Sequence, residues 1–153
     1  MFLDEATIDV RSGKGGNGCA SFRQEKHVPR GGPDGGDGGD GGDVVLIADR
    51  QVGTLLPFRY KRKFAADNGH HGEGNKRFGK TGKSIKIPVP IGTLIKDADS
   101  GEVLADLTHK GARFMAAKGG RGGRGNLHFT TSVRQAPTFA ENGEPWEHRK
   151  LLL

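Results

Sequence analysis

The chain has 153 residues, 27 of them glycine, with a formal net charge of +6 and one cysteine. Leu, Ile, Val and Phe make up only roughly a fifth of it, which excludes a large core and requires the glycine-rich part to hold together by backbone packing. Cys19 cannot form an internal disulfide and fits a reducing compartment, residues 1–5 lack the basic and apolar regions of a secretory leader, and no apolar run has membrane-span length. The expectation is a cytoplasmic protein with an anionic partner, nucleic acid first.

Ala6, Ile8 and Val10 alternate with polar residues and predict a half-buried first strand, ended by Gly13. After the glycine loop 13–18, a short extended piece over 20–23 leads into a polar, basic tip over 24–30. The apolar run Val44–Ala48 has strand length and is β-branched, which predicts a buried strand. Residues 55–64 set Arg59, Lys61, Arg62 and Lys63 among Phe58, Tyr60 and Phe64. That pattern fits either a strand with its rings turned inward and its cations solvated, or a surface for phosphate contact and base stacking. Residues 67–84 read as an exposed basic loop. Ile85, Ile87 and Val89 alternate, but Pro88 and Pro90 place that strand at an edge or end it early. Residues 93–96 and 102–107 form a hairpin around 97–101, and the turn at Lys110-Gly111 leads into 113–117. The stretch 130–145 is polar. Leu151–Leu153 is an apolar stub that suggests a chain cut in a strand or at a domain junction. No stretch sustains a 3.6-residue apolar period, so the domain is mainly β.

From Gly35 the chain repeats Gly-Gly-Asp, a period of three that neither helix nor strand possesses. The polyproline II helix turns once every three residues without internal hydrogen bonds, so this repeat leaves two of its three faces bare to pack on other backbones. Residues 119–125 repeat the spacing, with Arg121 and Arg124 on the free face that carries Asp37, Asp40 and Asp43 in the first repeat. A bundle is therefore expected, built on Gly15, Gly16, Gly35, Gly36, Gly38, Gly39, Gly119, Gly120, Gly122 and Gly123. The aspartates are expected to pair with the two arginines by contact or through the local field. A single such segment would be a flexible linker; recurrence in register with opposite charge predicts packing.

Residues 74–81 match the P-loop pattern G-x-x-x-x-G-K-[ST], yet no buried strand precedes them and an alternating, proline-ended run follows. Without a helix N-terminus the amides cannot converge on phosphates, so a flexible basic loop is expected. His70 and His71 would face opposite sides of a strand, and carboxylates on one polyproline II face lie ~9 Å apart, too far for one Ca²⁺. No metal site and no catalytic set are expected, and Cys19 reads as a small buried residue.

Residues 25–33 running into the Gly-Gly-Asp repeat, and 118–126 downstream, resemble the N-terminal domain of the Obg family of ribosome-assembly GTPases. The runs 58–61, 89–93, 105–108 and 141–145 match in the same order, so the resemblance covers essentially the whole chain. It implies one domain over 1–153, with a small β-barrel or sandwich base and a protruding bundle of glycine-rich left-handed polyproline II segments, and essentially no helix. Residues 13–43, 66–84 and 118–145 would supply the glycine-rich lobe and its loops. It also implies a GTP-binding domain after residue 153 that uses GTP and Mg²⁺, with no cofactor in this chain, and docking of the present domain on the large ribosomal subunit and its 23S-type rRNA. The implied RNA contacts are Lys26 and Arg30 in a first tip, Arg77, Lys80 and Lys83 in a second, and Arg134 in a third. The protein would act as a monomer without a membrane partner, its own GTP-binding domain being the other partner. Trp146 stands where the family usually has glycine. The alternative is a glycine-rich structural or protein-interaction module with no RNA role.

Overall fold

The computed structural model describes residues 5–22, 31–129 and 139–153. Among the described residues eight strands run in the order β1 (Thr7–Arg11), β2 (Val44–Ala48), β3 (Lys63–Ala65), β4 (Ile85–Val89), β5 (Thr93–Asp97), β6 (Val103–Leu107), β7 (Arg113–Ala117) and β8 (His148–Leu152). They form a five-stranded sheet, β3-β1-β8-β5-β6, and a three-stranded sheet, β4-β2-β7. The base is thus two sheets with a shared core, and the closed-barrel half of the expectation is corrected. Ile8, Val10, Ile95 and Leu151 from one sheet and Val44, Leu46 and Val89 from the other are fully buried in one cluster. Each such side chain contributes about 1.5–3 kcal/mol of burial.

The predicted first strand, the buried 44–48 strand and the 93–107 hairpin are all present. Pro88 lies within β4, opposite Ile47, where the edge position spares its missing N–H. Two readings are corrected. Residues 56–59 form a 3₁₀ turn rather than a strand, because Pro57 at its start fixes φ and cannot join a ladder. Leu151–Leu153 is no stray stub: β8 sits between β1 and β5, with Ile8 opposite Leu151, and Leu153 is buried.

Above the base stand six extended arms: residues 13–19, 34–43, 66–73, 77–84, 118–126 and 141–147. Their hydrogen bonds run to other arms at three-residue intervals. Gly13, Gly16 and Cys19 donate to the carbonyls of Gly42, Gly39 and Gly36, and Gly36, Gly39 and Gly42 donate to those of Glu73, His70 and Asp67. No arm glycine has positive φ; the described glycines that do are Gly92, Gly101 and Gly111, all in base turns. This period, with hydrogen bonds directed outward, marks polyproline II. The supposed loop over 67–84 is therefore two packed arms. One glycine per triplet suffices there because outer arms pack on fewer faces, whereas the second arm touches the first, third, fourth and fifth.

Arms one, three and five leave β1, β3 and β7, and arms two, four and six return into β2, β4 and β8. Each pair thereby leaves one sheet and returns to the other. Among the described residues no helix is long and apolar enough to cross a membrane.

Candidate nucleic-acid interface

Each of the ten glycines expected to build the bundle lies against the backbone of another arm. A Cβ at any of them would fall on a carbonyl oxygen of another arm, closer than side chains ever approach; for Gly122 the obstacle is the Gly38 oxygen, and for Gly38 the Gly16 oxygen.

The acidic rows have a different role from the one expected. Asp37, Asp40 and Asp43 accept the amides of Gly125, Gly122 and Gly119 at 2.8, 2.8 and 2.7 Å. On the other side of the fifth arm, Glu141, Glu144 and Glu147 accept the amides of Arg124, Arg121 and Lys118. The carbonyls of Gly13, Gly16 and Cys19 take the remaining amides, those of Gly120, Gly123 and Asn126. Every amide from 118 to 126 is thus satisfied by one of three neighbours in rotation, which is what a backbone without internal hydrogen bonds requires. One oxygen of each aspartate serves the backbone, so direct contact with Arg121 and Arg124 is corrected, while Asp37, which also pairs with His128 at 2.9 Å, acts on Arg124 through the local field.

Arg124 instead bonds Glu141 at 2.8 Å. That bond, with the attraction between the two charges, holds the guanidinium above its ordinary pKa, Asp37 adding a smaller Coulombic contribution. The same side-chain bond, joined by the Arg124 amide, holds the Glu141 carboxyl below the usual carboxylate range. The Glu row was missed although its spacing of three was readable. Other side chains follow the same rule, among them Asn68 Oδ1, which accepts the Lys14 amide, and His71 Nδ1, which accepts the Asn17 amide.

Residues 74–77 reverse the chain in one tight turn. Glu73 and Arg77 bridge across it, and Asn75 and Lys76 have φ of 60° and 57°, the pattern of a type I′ turn. No helix follows; the next arm feeds β4. The residues present do not fit a bound nucleotide, so the P-loop match is coincidental.

Lys26, Arg30 and Arg134 lie outside the described residues. Arg77, Lys80 and Lys83 are brought onto one line, since their carbonyls accept the amides of Glu73, His70 and Asp67 and their side chains are all exposed. At ~9 Å per triplet only Arg77 is at a tip; Lys80 and Lys83 descend the fourth arm toward the base, where exposed Lys86 continues the sequence spacing into β4. Arg77 lies 3.6 Å from Glu73, both exposed, a contact of little strength in water. Lys80 and Lys83 have no carboxylate partner within ion-pair distance among the described residues. The chemistry available is electrostatic: a file of lysines on a stiff arm, spaced for a polyanion.

The sequence profile of the family described as GTP1/OBG matches residues 3–153. The protein named GTPase Obg from Clostridium kluyveri is 58% identical over 153 residues, covering 100% of this chain and 36% of that protein. Those so named from Persephonella marina and Prosthecochloris aestuarii are 57% and 59% identical over 152 residues, 99% of this chain and 45% and 46% of each relative. This chain spans less than half the length of these relatives. With a family profile over residues 3–153 and relatives identical at more than half of all positions, the chain belongs to the GTP1/OBG family.

Proposed function

We propose that this chain is the RNA-docking domain of a cytoplasmic GTP-binding protein that acts in assembly of the large ribosomal subunit. Family membership and relatives named as GTPases support the nucleotide part of this reading. GTP and Mg²⁺ bind, and GTP is hydrolysed, in a domain following residue 153, which is also this chain's intramolecular partner. Here the chain supplies shape and charge: a slender bundle that enters a narrow cleft in 23S-type rRNA, with Arg77 at a tip and Lys80 and Lys83 along one arm, and with Lys26, Arg30 and Arg134 as further RNA contacts. The protein works as a monomer.

The observation that carries the reading is the line of exposed lysines, without a carboxylate partner among the described residues, on an arm whose backbone is tied to its neighbours at every triplet. The test is binding to large subunits at several salt concentrations. Converting Lys80 and Lys83 to Gln together is expected to weaken binding and reduce the slope of log K against log salt by about 1.5, following the release of counterions at two phosphates. Unchanged affinity and slope would refute the assignment.

A further inference from the structure

Away from the tips, the base holds a second place where cations and an aromatic ring stand together. Phe58 is buried in the 3₁₀ turn and packs edge-on against Phe64, with ring centroids 5.9 Å apart. The two rings clamp the chain on either side of residues 59–63, and the Tyr60 amide closes the turn on the Pro57 carbonyl at 3.2 Å. Everything between the clamps is turned outward: Arg59, Lys61, Arg62 and Lys63 are exposed, and Tyr60 is 82% exposed.

None of these four cations has a carboxylate within ion-pair distance among the described residues. Asp9, opposite Lys63 in the parallel β1–β3 pair, turns instead to His148 at 3.6 Å. Lys61 Nζ stands 5.0 Å from the Phe64 ring centroid. An aromatic ring held out on an anchored turn, amid unneutralised cations, is pre-organised to stack on a base while its neighbours hold phosphates.

Beside Lys61 opens a cleft of about 380 Å³, its floor formed by Pro57, Phe64, Ile85 and Pro88 and its rim by Lys61 and Lys86. It lies where the edge strands of the two sheets, β3 and β4, meet. Pro88 has no N–H to offer at that edge, which disfavours an added peptide strand and leaves an apolar slot with a cationic rim. Lys86 also stands three residues beyond Lys83, so the file of lysines on the fourth arm leads toward this slot.

We infer that the base carries a single-stranded RNA site: Tyr60 stacks on one base, the neighbouring base enters the cleft, and Arg59, Lys61, Arg62, Lys63 and Lys86 take the phosphates. The inference rests on the RNA-docking reading and adds to it a second contact, at the far end of the stalk, that only unpaired nucleotides can use. Stacking on an open aromatic face and phosphate pairing carry little sequence preference.

The test is fluorescence anisotropy of a labelled oligouridylate twelve-mer with the 153-residue chain across a salt series. Tyr60→Ala is expected to weaken binding about tenfold and Tyr60→Phe to stay within about twofold, because the ring and not the hydroxyl does the stacking. Arg59→Gln, Arg62→Gln and Lys63→Gln combined are expected to lower the salt slope by about 2. All these side chains are exposed, and unchanged circular dichroism verifies the fold. If Tyr60→Ala binds like the unmodified chain while the Lys80 and Lys83 pair of changes weakens binding, this inference is overturned and the docking reading stands. If the unmodified chain binds neither the oligonucleotide nor the large subunit, both fall.

Discussion

Replacing Gly122 with Ala is the sharpest test of a bundle organised by close backbone approach. The new methyl would collide with the Gly38 carbonyl oxygen, and Gly38 is itself held against Gly16, so the fifth and second arms must separate locally. Two hydrogen bonds join those arms at that contact, Gly122 to Asp40 Oδ1 and Gly38 to the Gly123 carbonyl, both at 2.8 Å, and a third beside it ties the fifth arm to the first, Gly123 to the Gly16 carbonyl at 2.9 Å. Their loss costs about 1 kcal/mol each. Alanine recovers roughly 0.4–1 kcal/mol by stiffening the unfolded chain, which leaves a net destabilisation of about 2 kcal/mol. For a protein of this size that is a fall in Tm of roughly 4–8 °C, measurable by calorimetry. Gly53→Ala is the control: nothing lies within 4 Å of a Cβ there and its φ is not left-handed, so its Tm should hold or rise. Equal effects at both positions would refute the reasoning.

Asp40→Leu is expected to cost about 1 kcal/mol and to speed amide exchange at Gly122, whereas Asp40→Asn, which keeps an acceptor oxygen, should be close to neutral; hydrogen exchange read by NMR distinguishes them. The carboxyl of Glu141 is held low in the folded state, so its stabilising contribution is complete above its unfolded pKa and disappears as pH falls through the depressed folded value. Glu141→Gln is accordingly expected to flatten the acid limb of Tm against pH. Parallel acid limbs for the two proteins would contradict the Arg124–Glu141 pairing.

The bundle was readable because a period of three belongs to one backbone conformation, and because Gly-Gly-Asp states which two faces must be bare. The outer arms were harder. Gly69 and Gly72, like Gly79 and Gly82, also repeat every three residues, but one glycine per triplet among lysines and histidines looks like a solvated loop until a packed partner is known. Glu141, Glu144 and Glu147 keep the same spacing, yet their acceptors serve amides 17 to 29 residues away, and a carboxylate's partner over such a separation is not encoded locally. Around Tyr60 the sequence supports two readings, because alternation suggests a strand; Pro57 is the residue that decides for a turn. Lys80 and Lys83 fall below the tip rather than at it because of the axial rise of the arm that carries them, which sequence spacing alone does not reveal.

Because every pair of arms starts in one sheet and ends in the other, the stalk is stitched across the seam of the base. A lateral push at the tips is therefore delivered as a prising force between the two sheets, shared among six covalent roots. The core that keeps the sheets together and the projection that reaches outward resist, yield and refold as one mechanical body.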